Sequence, residues 1–184
     1  VFIHGNRDFL ISDTFLHLFG IRLVAHYTDD EILVIHGDEL CTSDHAYQAF
    51  KLEVRQPSWI NSFLTKPLIE RQTIAEELRR ASRETQANRA EAIGDAVDTA
   101  VEGLMENQHA SVLIHGHTHR PAIHYTEGNL RAVTSDWTHS GLGVVIDSTQ
   151  SELIVSLTHL SAQGAVIKEQ WVRQAGTPEW NRNS

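Results

Sequence analysis

Three apolar runs in this chain end in the dipeptide His-Gly, and that recurrence constrains the fold more than any other feature. Val1-Phe2-Ile3 leads into His4-Gly5-Asn6-Arg7-Asp8. A run from Glu31 ends in His36-Gly37-Asp38, and Ser111–Ile114 ends in His115-Gly116-His117-Thr118-His119-Arg120-Pro121. A short apolar run closed by glycine reads as a buried strand whose backbone turns sharply at its end. In an α/β sheet, the loops at the carboxyl ends of strands converge on one crevice. The three loops are therefore expected to build one site on an α/β fold.

The loops carry neutral donors suited to a divalent transition metal: the Asn6 amide, the His36 imidazole, and the pair His117 and His119. Residues two apart in an extended segment point to the same side, so His117 and His119 are expected to face one cavity. Mixed nitrogen and oxygen ligation suits Mn, Fe, Zn or Co better than Ca or Mg. The single cysteine, Cys41, excludes a cysteine-based zinc finger and an internal disulfide, and reads as a small buried filler. Two-ion hydrolases need bridging carboxylates. Asp8 and Asp38 are at hand, but each reads as orienting its own loop, and no D-x-H pair occurs in the 184 residues. His115 is expected to support the third loop by a hydrogen bond behind the ligands. The remaining histidines of the twelve lack such a context.

Fifteen Lys and Arg against 24 Asp and Glu leave a net charge of −9, which argues against coating nucleic acid. No apolar run approaches the roughly 18 residues of a membrane span. Ser12 and Asp13 cap a short helix that ends before Gly20. Ile21–His26 and Glu31–His36 read as strands joined at Thr28-Asp29-Asp30. From Ser43 to about Gln108 the pattern is helical, punctuated by Pro57 and Pro67, with 88–106 as the last and longest helix. Strands follow at 122–125, 130–133, 143–147, 152–157 and 165–172, and the tail from Gln174 reads as polar and mobile. Because the chain opens at Val1 inside an apolar run, we expect a piece whose leading strands are missing.

In this order the loops resemble the calcineurin-like metallophosphoesterase superfamily, whose D-x-H and G-D motifs are followed by G-N-H-[DE], H and G-H-x-H. The strings FIHGNRDFL, HGDELCTSDHAYQAF and LIHGHTHRPA narrow the likeness to the UDP-2,3-diacylglucosamine hydrolase family, pyrophosphatases of lipid A biosynthesis. The resemblance covers most of residues 2–145. It implies an α/β fold with a β-sandwich flanked by helices and a helical lid insertion at about 57–90. The metallophosphoesterase domain would be 1–172, lacking its first strands, and 173–184 a polar tail. It implies hydrolysis of UDP-2,3-diacylglucosamine to UMP and 2,3-diacylglucosamine 1-phosphate by a metal-bound hydroxide, with two Mn2+ ions in the intact enzyme. The substrate would be a nucleotide-linked glycolipid met at the cytoplasmic face of the bacterial inner membrane, where the protein would bind peripherally.

By position, the resemblance makes Asn6, His36 and His117 ligands of one metal and His119 a ligand of the other. Arg7 stands where many superfamily members have a catalytic histidine. A guanidinium cannot give up its proton, so Arg7 would clamp a phosphate oxygen and stabilise developing charge. Asn6, Arg7 and His117 would also touch substrate, as would Asp44. In the insertion, Ser82 matches the family's serine, while Gln86 and Arg89 replace its asparagine and lysine. Trp59, Ile60, Phe63, Leu64, Leu68, Ile69, Ile74 and Leu78 form a broken apolar stripe rimmed by basic residues, which reads either as ordinary helix packing or as a lid for acyl chains. Two other outcomes stay open: a general metallophosphodiesterase or nucleotide phosphatase of the same superfamily, or a metal-binding piece that is inactive alone.

Overall fold

The computed structural model describes residues 1–87 and 94–183. Its frame is two sheets packed face to face, with helices on one side. The five-stranded sheet has the order β3-β4-β5-β7-β6, from Tyr27–Asp29 (β3), Ile32–Val34 (β4), Val112–His115 (β5), Ala122–Thr126 (β6) and Asn129–Val133 (β7). The second is an antiparallel set, β11-β10-β9-β8, from Gly141–Ser148 (β8), Glu152–Ser161 (β9), Gly164–Gln174 (β10) and Trp180–Asn183 (β11). A short parallel pair, Phe2–Ile3 (β1) with Leu23–Val24 (β2), stands apart from both.

Side-chain alternation along the strands decides which layer each residue enters. Val112, Ile114, Ile123, Leu130 and Ala132 meet Leu153, Val155, Leu157 and Trp180 between the two sheets. On the opposite face Leu33, Ile35 and Leu113 pack with Leu40 and with Val101 and Met105 of the helix Asp98–Asn107 (α5). β4 and β5 run parallel. Every residue of β5 is buried, as expected for a parallel strand covered on both faces.

Four elements differ from the sequence expectation. The expected strand 21–26 is reduced to β2, which pairs with β1, while β3, lying beyond it, begins the larger sheet and forms a hairpin with β4. The hairpin turn is Asp30-Glu31, one step later than the Thr28-Asp29-Asp30 expected, with Asp30 at φ 52°. The last helix begins at Asp98, because the Val97 amide is taken by the Leu40 carbonyl and the Asp95 carboxylate accepts from Ala96 N–H. The first six residues of that expectation, 88–93, lie outside the described residues, and among the described residues the longest helix is Leu68–Ala87 (α4). The tail is not free: Trp180 is buried in the inter-sheet core and its indole N–H donates to Gly128 O at 3.0 Å. Trp180 anchors β11 in the core, and Arg182–Glu169 and Asn183–Gln170 contacts join it to β10.

The short helix appears as Asp13–His17 (α1), with the Ser12 hydroxyl accepting from Phe15 N–H. His45–Val54 (α2) and Pro57–Leu64 (α3) precede α4. Among the described residues no helix is long and apolar enough to cross a membrane.

Candidate metal centre and its loops

The three His-Gly loops interlock through their glycines. A Cβ on Gly5 would lie 3.0 Å from His36 Nε2, and one on Gly37 would lie 2.7 Å from His115 Nδ1. Each of these glycines thus leaves room for the imidazole of the next loop, and Gly37 at φ 106° also takes a backbone conformation that a side chain would strain. The loops following β4 and β5 meet at one end of the five-stranded sheet and the loop after β1 joins them, so the loops converge as the sequence predicts although β1 lies outside that sheet.

His36 and His117 face each other there, with ring centres 5.0 Å apart and planes at 66°. The Tyr47 ring lies 5.4 Å from that of His117. Burial, and then the neighbouring His36, push the His117 imidazole down to about 4, so it is neutral with a free lone pair near pH 7. His36 Nδ1 is buried without a partner of hydrogen-bond geometry, although Asp38 Oδ1 stands 3.2 Å away. The neutral His117 imidazole is the donor chemistry a divalent transition ion takes, and with Asp38 against His36 Nδ1 it is Nε2 of the His36 ring that lies toward Gly5. The residues fit such an ion in part: among the described residues no group of three or more His, Cys, Asp or Glu side chains could hold one.

His117 and His119 do not reach their positions by strand alternation. Both sit in the left-handed region, at φ 61° and 53°, so the extended-segment reasoning is corrected. Glycine normally takes such positions, and strained non-glycine residues cluster at functional sites. His119 is exposed while His117 is half-buried. Asn6 is half-buried directly after Gly5, and Arg7 is exposed.

Behind His36 lies a charged hub. Asp38, 2% exposed, accepts from Tyr47 Oη at 2.7 Å and pairs with Lys51 Nζ at 2.9 Å and Arg55 Nη2 at 3.4 Å. Burial alone would raise this carboxyl, but His36, Tyr47 and Lys51 outweigh it and hold it well below the usual carboxylate range. Burial and the Asp38 charge push the Tyr47 phenol up, so it stays a donor. Tyr47 and Lys51 of α2 and Arg55 at its C-cap recur every four residues and all reach Asp38. Sequence reading passed over them, although that polar i, i+4, i+8 stripe immediately after an HGD loop was the available signal.

The neighbouring histidines hold the loops. His4 Nε2 donates to Ile11 O at 2.7 Å, closing the first loop, whose Gly5 N–H donates to Asp8 Oδ1 at 2.5 Å. His115 is 1% exposed and lies 3.0 Å from Gly116 O through Nδ1 and 3.3 Å from Arg131 Nη1 through Nε2. A proton on Nδ1 satisfies both contacts. Burial lowers this imidazole to about 4, keeping it neutral. Cys41 is fully buried, its thiol directed at the Gly37 and Gly94 carbonyls.

Asp44 is buried and caps α2, accepting from Tyr47 N–H at 3.2 Å. Ser82 is exposed on α4. Gln86 belongs to the last turn of α4, and Arg89 lies outside the described residues. The structure thus brings together the Gly5–Asn6 turn, His36 and His117, and leaves Ser82 on a solvated helix.

No family model matches the chain. Proteins named UDP-2,3-diacylglucosamine hydrolase from Escherichia coli O1:K1 / APEC, Escherichia coli O9:H4 (strain HS) and Escherichia coli (strain K12 / DH10B) are each 40% identical to it over 163 residues. Each match covers 83% of this chain and 68% of the relative.

Proposed function

The chain belongs to the UDP-2,3-diacylglucosamine hydrolase family, and from that premise we propose that it cleaves the pyrophosphate of UDP-2,3-diacylglucosamine. The products would be UMP and 2,3-diacylglucosamine 1-phosphate, a step of lipid A biosynthesis. The observation that carries the reading to this site is the His36–His117 pair, 5.0 Å between ring centres, at the meeting point of the loops after β4 and β5.

In this reading Asn6, His36 and His117 hold one metal ion and His119 contributes to a second, with manganese as the ion. The ions, when bound, would neutralise phosphate charge and activate water for attack on phosphorus. The chain's own residues do the remainder. Arg7, exposed beside Asn6, would clamp a phosphate oxygen through its fork of N–H donors and stabilise charge as the anhydride breaks. The Asp38 hub would keep His36 aimed at the site. His117 near neutrality would be a ligand without first losing a proton.

The calcineurin-like arrangement and the lid belong to the same proposal. α3 and α4 would cover the acyl chains: Leu64, Leu68 and Ile69 are exposed at 44%, 63% and 72%, and Arg79, Arg80 and Arg83 are exposed about three to four turns further along α4. An apolar face with cationic residues further along the helix suits a lipid substrate and contact with anionic head groups at the cytoplasmic face of the inner membrane. Asp44, Ser82, Gln86 and Arg89 are proposed substrate contacts on the sequence resemblance alone.

Purified as its gene encodes it and supplied with Mn2+, the protein is expected to release UMP from UDP-2,3-diacylglucosamine, and the His117→Ala variant is expected to lose at least about a hundredfold in rate. Cleavage of a generic phosphodiester with no action on the lipid nucleotide would leave a metallophosphodiesterase and overturn the substrate assignment.

A further inference from the structure

We infer that Arg55 is a positioning residue that fixes the Gly5–Asn6 peptide against His36 and so sets the geometry of the proposed metal site. The inference rests on the metal reading above and adds to it the C-cap residue of α2, outside every His-Gly loop.

Gly5 is buried and touches His36: a Cβ there would stand 3.0 Å from Nε2. At that separation a small rotation of the Gly5–Asn6 peptide plane changes where the Asn6 side chain starts relative to the imidazole. Both polar groups of Gly5 are tied. Its N–H donates to Asp8 Oδ1 at 2.5 Å, and its carbonyl accepts from Arg55 Nη2 at 3.1 Å. The carbonyl belongs to the plane that carries Asn6 N, so Arg55 holds the plane itself. The same nitrogen reaches Asp38 Oδ2 at 3.4 Å, and Asp38 stands against His36. One guanidinium therefore joins the first loop to the second. The Phe9 ring, 5.7 Å from the guanidinium carbon, covers it, and Trp59 packs on Phe9 with ring centres 6.3 Å apart.

Lys51 supplies the comparison. It pairs with the same Asp38 oxygen at 2.9 Å, and the contacts found for it include none to Gly5. Removing either cation takes one positive charge from beside the site, which by Coulomb attraction alone would strengthen binding of a cation. Weaker binding after loss of Arg55 is the signature of lost positioning, because the electrostatic change has the opposite sign.

The experiment is a Mn2+ titration of the chain, followed by the electron paramagnetic resonance signal of free Mn2+, for the parent and for Arg55→Met, Arg55→Leu, Arg55→Lys and Lys51→Met. Urea midpoints identify any variant that has merely unfolded. Arg55→Met is expected to weaken Mn2+ binding by about 10- to 100-fold, the range for residues that orient ligands. Arg55→Lys, which keeps a donor for the Gly5 carbonyl, is expected to recover most of the loss; Arg55→Leu, which also lacks a donor and is expected to lose as much as Arg55→Met, carries the test if the methionine variant does not fold. Lys51→Met is expected to change affinity less than threefold or to raise it. Unchanged affinity in a folded variant that lacks the donor, Arg55→Met or Arg55→Leu, or an equal loss in Lys51→Met, would overturn the inference alone. Failure of the parent to bind Mn2+ would overturn the metal reading, and the inference with it.

Discussion

The two regions proposed to meet the substrate are built in opposite ways. At the histidine loops, Gly5 and Gly37 are filled against neighbouring imidazoles and Asp38 is enclosed by three donors. In α4, none of the described side chains at 68–84 is buried, and Leu68 and Ile69 face solvent. Groups that take part in bond breaking must be held to fractions of an ångström, and close packing around buried charges provides that. A surface that receives flexible hydrocarbon needs area and adaptability rather than register. Substitutions in the first region should therefore register as stability, and those in the second as substrate affinity.

The largest effect is expected at Asp38. Its replacement by alanine leaves Lys51 and Arg55 facing one another with no counter-charge and strands the Tyr47 hydroxyl, which should cost about 3–5 kcal/mol by urea denaturation. Acid comes next. His115 and His117 titrate at 6.5 in the unfolded chain and at about 4 in the folded one. As pH falls below 6.5 the unfolded chain binds protons first, so stability declines until pH passes about 4. Buried His115 alone is worth on the order of 3 kcal/mol over that window. A His115→Asn variant, less stable at neutral pH, should show a shallower acid slope.

A pair of glycines sharpens the contrast between filled and open places. Gly37→Ala should destabilise by at least about 1–3 kcal/mol from its left-handed backbone, before the clash with His115. Gly103→Ala, inside α5 with nothing within 4 Å of the added carbon, should gain about 0.5–1 kcal/mol. The smallest stability effect is expected on α4. Ile69→Ser should shift the urea midpoint by less than about 0.5 kcal/mol, while raising KM for the diacyl substrate severalfold. A large loss of stability there would break the contrast.

The sequence carried the sheet and the convergence of its loops because both follow from local pattern: apolar runs, glycine, then metal donors. What it hid was set by tertiary contact. Nothing local to Tyr47, Lys51 and Arg55 announces that they will close over Asp38, and helix spacing was the sole hint. The left-handed backbone at His117 and His119 was missed because no glycine stands at either position, although histidine is among the non-glycine residues enriched in that region. β11 was missed for a different reason: ten of the eleven residues from Gln174 onward have no apolar period, and a single tryptophan anchors it in the core. The insertion's polarity was legible, but its exposure was not, since an amphipathic stripe normally finds a core to cover.

The most direct measurement is Mn2+ binding by the chain and by its His36→Ala and His117→Ala variants, read from loss of the free-ion signal. Binding by the parent that falls at least about tenfold in each folded variant is the expected result. Equal affinity in all three would mean that the facing imidazoles hold no ion, and the metal centre proposed here would be wrong.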